Sequence, residues 1–275
     1  MVYGRGIIKQ AGTTAHCQQM FRLSSMDWHR FLGFWSVDGG IDIYINIYKR
    51  KRVLWEEEAD ERQIMRRHRL NTMDMTQVLR QIIGKETIQF CGVQAAALQT
   101  IQDGESSVVA VIQTGRGKSI LFILPVFAEP SGTTIVIVPL ILLYRDIMRR
   151  CQILDILCIL WKSCRLLNKT TIVLVIPESA VTKNFYIFIN RLKQTRQLDR
   201  IVIDECYVIL NNQQNFRPEL YQLRQLNYIQ IQIVLLTAIL FFILKERLFQ
   251  QMEYQADQVY ILRNWTSCPN VVYCI

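Results

Sequence analysis

At 275 residues, 51% of them hydrophobic, the chain has material for one large core and is excluded from the intrinsically disordered class. Its formal net charge of +9 permits a polyanionic partner without requiring one. Eight cysteines contain no C-x-x-C pair, and three histidines offer few co-ligands, so a zinc centre is not expected.

Residues 1–78 are expected to form an appendage, mainly helical or partly disordered. They mix aromatics (Trp28, Phe31, Phe34, Trp35) with a dense charge block. Lys49-Arg50-Lys51-Arg52 precedes Glu56-Glu57-Glu58, Asp60-Glu61 and Arg66-Arg67, a spacing that suits an exposed helix with i,i+4 pairs. The basic tetrad reads as a solvated helix face, with a nuclear-import signal or a phosphate contact as alternatives. No signal-peptide pattern opens the chain. The longest apolar run, Ile233 to Leu244, falls short of the roughly 18–20 residues that span a bilayer, so a soluble protein with no membrane partner is expected. Cysteines within apolar runs, such as Cys158, read as buried small hydrophobes in a reducing, intracellular compartment.

From Asp74 the pattern tightens. Asp74 is placed to cap a helix over Met75–Ile83 that Gly84 ends, and a second helix is expected over Val93–Ile101, closed by Asp103-Gly104. Strands are predicted at Val108–Ile112, Thr134–Val138, Ile156–Leu160, Ile172–Ile176, Arg200–Ile203 and Gln232–Leu236. Helices are predicted at Lys118–Phe127, Leu140–Cys151, Ser179–Gln194, Pro218–Leu226 and Phe242–Met252. The strands are continuous apolar runs, as in a mostly parallel sheet covered by helices on both faces. Ligands of such sheets bind beyond the carboxyl ends of the strands.

Two stretches at such ends carry chemistry. Val108–Ile112 runs into Thr114-Gly115-Arg116-Gly117-Lys118-Ser119-Ile120, a strand, glycine loop, Lys-Ser and helix in the order a phosphate-binding loop requires. Its N–H groups can surround phosphate oxygens, Lys118 can reach the β- and γ-phosphates, and Ser119 can hold Mg²⁺. The full pattern places a Gly where Ile112 stands. Ile201-Val202-Ile203 then delivers Asp204 and Glu205, adjacent carboxylates with no packing reason to follow a buried strand. Asp204 suits the magnesium, and Glu205 suits polarising water for attack on the γ-phosphate. A P-loop kinase is a rival, but it needs a lid and an acceptor pocket.

These residues, with further segments, make residues 79–275 resemble the first RecA-like lobe of a RecQ-type superfamily 2 DNA helicase of the fungal, often telomere-linked kind, with degenerate motifs. Phe90-Cys91-Gly92-Val93-Gln94 resembles the element whose Gln reads adenine, with Cys91 where the family has Arg. Asp204-Glu205-Cys206-Tyr207 resembles an Asp-Glu-Cys-His box, and Leu236-Thr237-Ala238-Ile239 a Thr-Ala-Thr motif. The resemblance gives Tyr207 and Thr237 a coupling role. It implies single-strand contacts at Pro139 and Leu140, at Pro177 and Glu178, and at Phe216 and Arg217. Cys268-Pro269-Asn270-Val271-Val272-Tyr273 is similar to the segment that opens a second lobe. The implied organisation is an ATP-binding domain over 79–258, then a linker and the start of a second RecA-like lobe, otherwise missing, over 259–275. The resemblance implies an ATP- and Mg²⁺-dependent 3′–5′ DNA helicase in the nucleus. The departures at Arg116, Tyr207 and Ile239, with one lobe only, leave a catalytically dead relic as the alternative.

Overall fold

The computed structural model describes residues 40–139, 141–162, 170–210 and 222–263. The chain divides into two compact units, Met1–Trp55 and Glu56–Ile275. Of the first, the structure describes the opening of helix α1 (Gly40–Thr72), where Val53, Leu54 and Trp55 are about half exposed.

In the second unit, α1 buries Ala59, Arg66 and Leu70, one narrow stripe at helical spacing, and pairs Asp60 with Arg196 and Arg69 with Glu129 beside it. Glu58 and Arg62 form one of the expected i,i+4 pairs. Helix α2 (Met75–Ile83) has the expected caps: Asp74 accepts from the Thr76 N–H at 2.8 Å, and Gly84 closes it at φ 70°. Helix α3 covers Gln94–Gln102. Then follow β1 (Ser107–Val111), α4 (Ile120–Ala128), β2 (Thr133–Ile137), α5 (Ile141–Ile153), β3 (Cys158–Leu160) and β4 (Ile172–Val175). A single helical turn, Pro177–Ala180, leads to α6 (Lys183–Gln194), β5 (Leu198–Ile203), β6 (Gln232–Thr237), α7 (Phe242–Met252) and β7 (Val259–Arg263).

The seven strands form one sheet in the order β3-β4-β2-β5-β6-β1-β7, and every pairing is parallel. Alternate residues feed opposite faces, as the period of two demands. Val109, Val111, Ile135, Ile137, Ile201 and Ile203 pack with Phe185 and Ile189 of α6 and Leu248 and Met252 of α7. Val108, Ala110, Val136, Val202 and Val234 pack with α2 to α5 through Leu79, Leu98, Phe122 and Cys151. The sheet is therefore the middle of three layers, as its two-sided burial implied. Among the described residues no helix is long and apolar enough to cross a membrane.

Four details depart from the expected elements. Helix α4 starts at Ile120 and not at Lys118, because the chain between Gly117 and Ser119 is still turning. The helix expected over Ser179–Gln194 is broken at Thr182, whose hydroxyl accepts from the Phe185 N–H at 3.3 Å and caps α6. Where Pro218–Leu226 was expected as a helix, Leu223–Ile229 is a 3₁₀ run, and residues 211–221 lie outside the described residues. The sheet continues past residue 258, since Val259–Arg263 pairs with β1 along its length.

Candidate nucleotide site

Strand order and register bring the chemistry together. The glycine loop follows β1, Asp204-Glu205 follows β5, and Thr237 ends β6, the strand between those two. Val111 lies level with Thr237, and Ile203 with Leu235. Neighbouring strands are about 4.8 Å apart, so the ends of β1 and β5 are within about 10 Å, inside the reach of a Lys and a Glu side chain. Lys118 Nζ and Glu205 Oε1 close that gap with an ion pair and hydrogen bond, and only 10% and 14% of these side chains remain exposed. Residues 87 positions apart in the chain thus meet directly.

The loop is held open by its glycines. Gly115 and Gly117 sit at φ 79° and 75°, where a Cβ is strained. At Gly115 a Cβ meets nothing within 4 Å, whereas at Gly117 it would stand 3.1 Å from both Gln94 Nε2 and Ile120 Cδ1. Gly117→Ala is therefore expected to cost about 1–3 kcal/mol and to displace Gln94, while Gly115→Ala costs about 1 kcal/mol from the backbone alone. Melting temperatures of the two variants check the order.

Gln94 is buried and fixes the loop from behind. Its Nε2 donates to the Arg116 carbonyl at 2.6 Å, and its Oε1 accepts from the Cys91 N–H at 2.8 Å. One N–H and one lone pair of the amide remain available for a base edge. Thr114, Gly115 and Arg116 are exposed, and Gly117, Lys118, Ser119 and Ile120 are half-buried. The Ser119 hydroxyl accepts from Arg150 Nη1 at 3.0 Å. Arg150 also pairs with Asp146 at 2.7 Å. Nothing in the spacing of α5 announces that contact, and the sequence did not reveal it.

The acid pair is tense. Glu205 takes φ 48°, a left-handed conformation rare outside glycine. Its N–H donates to Asp204 Oδ1 at 3.0 Å, and its Oε2 is buried with no hydrogen-bond partner. Burial, reinforced by the Glu205 charge and partly offset by Lys118, pushes the Asp204 carboxyl from its ordinary 3.8 up to about 6. Because the folded state binds this proton more tightly, the stabilisation is complete below about pH 3.8 and is lost as pH rises through about 6. The loss amounts to about 3 kcal/mol in the unliganded chain. Asp204→Asn is expected to remove that slope and to melt higher than the parent at pH 7; denaturant midpoints from pH 4 to 7 check it.

The orphaned Glu205 oxygen beside the Asp204 carboxyl, both oxygen donors, is a set that fits a divalent cation carrying phosphate oxygens. Among the described residues no three His, Cys, Asp or Glu side chains gather as a metal site of their own.

The remaining expected residues lie around this centre. Thr237 is fully buried, and its hydroxyl donates to the Ile239 carbonyl at 2.9 Å. Tyr207 is 37% exposed, and among the described residues no hydrogen bond joins it to Thr237. Pro139 follows β2, which adjoins β5 on the side away from β6, while Pro177 and Glu178 follow β4, the next strand beyond β2, so these lie at the carboxyl ends of those strands. Leu140, Phe216 and Arg217, and the Cys268–Tyr273 segment, lie outside the described residues.

Comparison with known proteins bears on the family and the fold. Residues 91–242, more than half of the chain, match the family described as DEAD/DEAH box helicase. ATP-dependent DNA helicase Q5 of Rattus norvegicus is 26% identical over 149 residues, covering 47% of this chain and 15% of that protein. The DUF1998 helicase MrfA bound to DNA superimposes with a TM-score of 0.51 at 19% identity, over 69% of this chain and 30% of its own. Dbp5 of S. cerevisiae bound to RNA and ADP BeF3 gives 0.52 at 15% identity, over 71% and 51%. The chain thus spans a minor part of the helicase Q5 it matches, and the structural likeness is one of fold: a RecA-like lobe with a parallel sheet between helices. With the glycine loop and acid pair both inside the matched span, the chain belongs to the DEAD/DEAH box helicase family.

Proposed function

We propose that this chain is the ATP-binding lobe of a RecQ-like, 3′–5′ DNA helicase, using ATP with Mg²⁺ and single-stranded DNA. The observation that carries the proposal is the meeting of Lys118 with Glu205 beside a buried, proton-hungry Asp204. Gly115 to Ser119 bind the phosphates through N–H groups and the helix end. Lys118 leaves Glu205 for the β- and γ-phosphates, and Glu205, released, takes the proton of the attacking water. Ser119 and Asp204 hold Mg²⁺, which neutralises phosphate charge when bound. Gln94 reads adenine with its remaining N–H and lone pair. Ile120 and Thr114 flank the loop, and Arg116 adds a cation at its exposed rim.

DNA lies across the ends of β2 and β4, along Pro139-Leu140 and Pro177-Glu178, with Phe216-Arg217 coupling it to the nucleotide. Tyr207 and Thr237 transmit the nucleotide state. A second RecA-like lobe, in this polypeptide or another, forms the facing wall of the cleft and supplies the cation that such motors use in the transition state. With DNA as the polymer it acts on, the nucleus is the proposed place of action.

A second reading, a nucleotide or nucleic-acid binder without turnover, is favoured by two contacts. Lys118 is tied to Glu205 and Ser119 to Arg150, so both must be broken for ATP and its metal to bind. ATP hydrolysis measured with single-stranded DNA, with RNA and with neither separates the readings. Stimulation by DNA is expected. Stimulation by RNA alone would overturn the RecQ assignment, and binding without hydrolysis in the presence of a second lobe would favour the inert binder.

A further inference from the structure

A cavity of about 590 Å³ lies at the other ends of the strands, where β1, β5 and β6 begin. Five residues of β1 separate it from the glycine loop, about 17 Å at strand rise, so the two regions are distinct. Its wall from α1 carries Arg66 and Arg67, and Arg200 of β5 lines it from the sheet.

The acids that line this cavity are already committed. Asp199 accepts from Arg66 Nη2 at 3.0 Å, Glu129 from Arg69 Nε at 2.6 Å, Glu253 from the Tyr228 hydroxyl at 2.7 Å, and the exposed Asp103 from Gln99 Nε2 at 2.8 Å. Glu253 also pairs with Arg224 at 3.2 Å. Arg200 is different. Its residue is 5% exposed, its Nε is buried with no hydrogen-bond partner, and no ion pair reaches it among the described residues. Burial pulls its basicity below the ordinary value; the charge of Asp199, itself paired with Arg66, offsets part of that, and the exposed cation of Arg67 works with the burial. A guanidinium shut away from water without an ion pair of its own is costly, and one placed on a cavity has room for an anion.

We propose that this cavity is an anion site that takes a phosphate group on the Arg200 guanidinium, with Arg67 as the second cation at the rim. The planar fork of Arg200 matches two phosphate oxygens at once, which no single surface lysine does. The volume is that of a small-molecule pocket and exceeds a bare phosphate ion, so the group can arrive as inorganic phosphate or on a small phosphomonoester.

The test is ³¹P line broadening of inorganic phosphate, and separately of glycerol phosphate, by the full chain at constant ionic strength. Broadening is expected with the parent and with Lys118→Ala, and is expected to vanish with Arg200→Met. Arg67→Gln, at an exposed position that leaves the fold intact, is expected to weaken binding about twofold to fivefold. That variant decides the matter if Arg200→Met fails to fold. Broadening by phosphate but not by the ester assigns the free ion, and the converse assigns an ester. No broadening by the parent, broadening lost in Lys118→Ala but kept in Arg200→Met, or an unchanged affinity in Arg67→Gln would each overturn the site.

Discussion

Lys118→Ala is expected to lower ATP turnover by about 10²–10³, because one charged donor to the reacting phosphates is removed. The same change removes the ammonium from a carboxylate pair that is mostly buried. Breaking such a pair usually costs about 3–5 kcal/mol. The lower end applies here, since Asp204 already binds a proton near pH 6 and can neutralise part of the excess charge. The stability loss should therefore grow from pH 5 to pH 8, as that proton leaves. Steady-state hydrolysis and denaturant midpoints at both pH values check the two halves. Unchanged turnover would remove Lys118 from the reaction, and a pH-independent stability loss would contradict its role as counter-charge to the acids.

Glu205→Gln separates binding from chemistry. The amide keeps the size and can still accept a hydrogen bond from Lys118, but it cannot take a proton from water. Hydrolysis is expected to fall by about 10²–10⁴, the usual worth of a general base. Binding should go the other way. With the Glu205 charge gone, Lys118 is no longer held by an ion pair and is free for phosphate. Asp204 also loses a neighbour that raises its pKa, so it ionises more readily and suits a divalent cation better. An ATP affinity equal to or tighter than that of the parent, with turnover nearly abolished, is the expected result. Loss of binding together with turnover would make Glu205 a structural partner of Lys118 and not a base.

Much of the architecture could be read from residue order, because its signals are local. Ile201-Val202-Ile203 and Ile135-Val136-Ile137 are uninterrupted apolar runs, and such runs are fully buried strands in the sheet. Gly115 and Gly117 announced backbone that only glycine holds without strain, and both lie at positive φ. Asp204 and Glu205 stood out because acids directly after a buried strand have nothing to pack against. The features that could not be read depend on partners distant along the chain. The Gln94 bond to the Arg116 carbonyl, the Arg150 bond to Ser119 and the unpaired Arg200 have no spacing rule behind them. Val259–Arg263 reads as linker because an edge strand is only half-buried and lacks the apolar density of the central ones. Thr182 broke an expected helix because a β-branched cap looks, from composition alone, like one more residue of the run.

The most direct measurement is the affinity of ATP, by calorimetry, with and without Mg²⁺ in the parent and in Asp204→Asn. If Lys118, Ser119 and Asp204 grip one metal-bound triphosphate, the parent binds much more tightly with Mg²⁺ and the variant loses that advantage. The same affinity with and without the metal, or an advantage that survives loss of the Asp204 carboxylate, would contradict it.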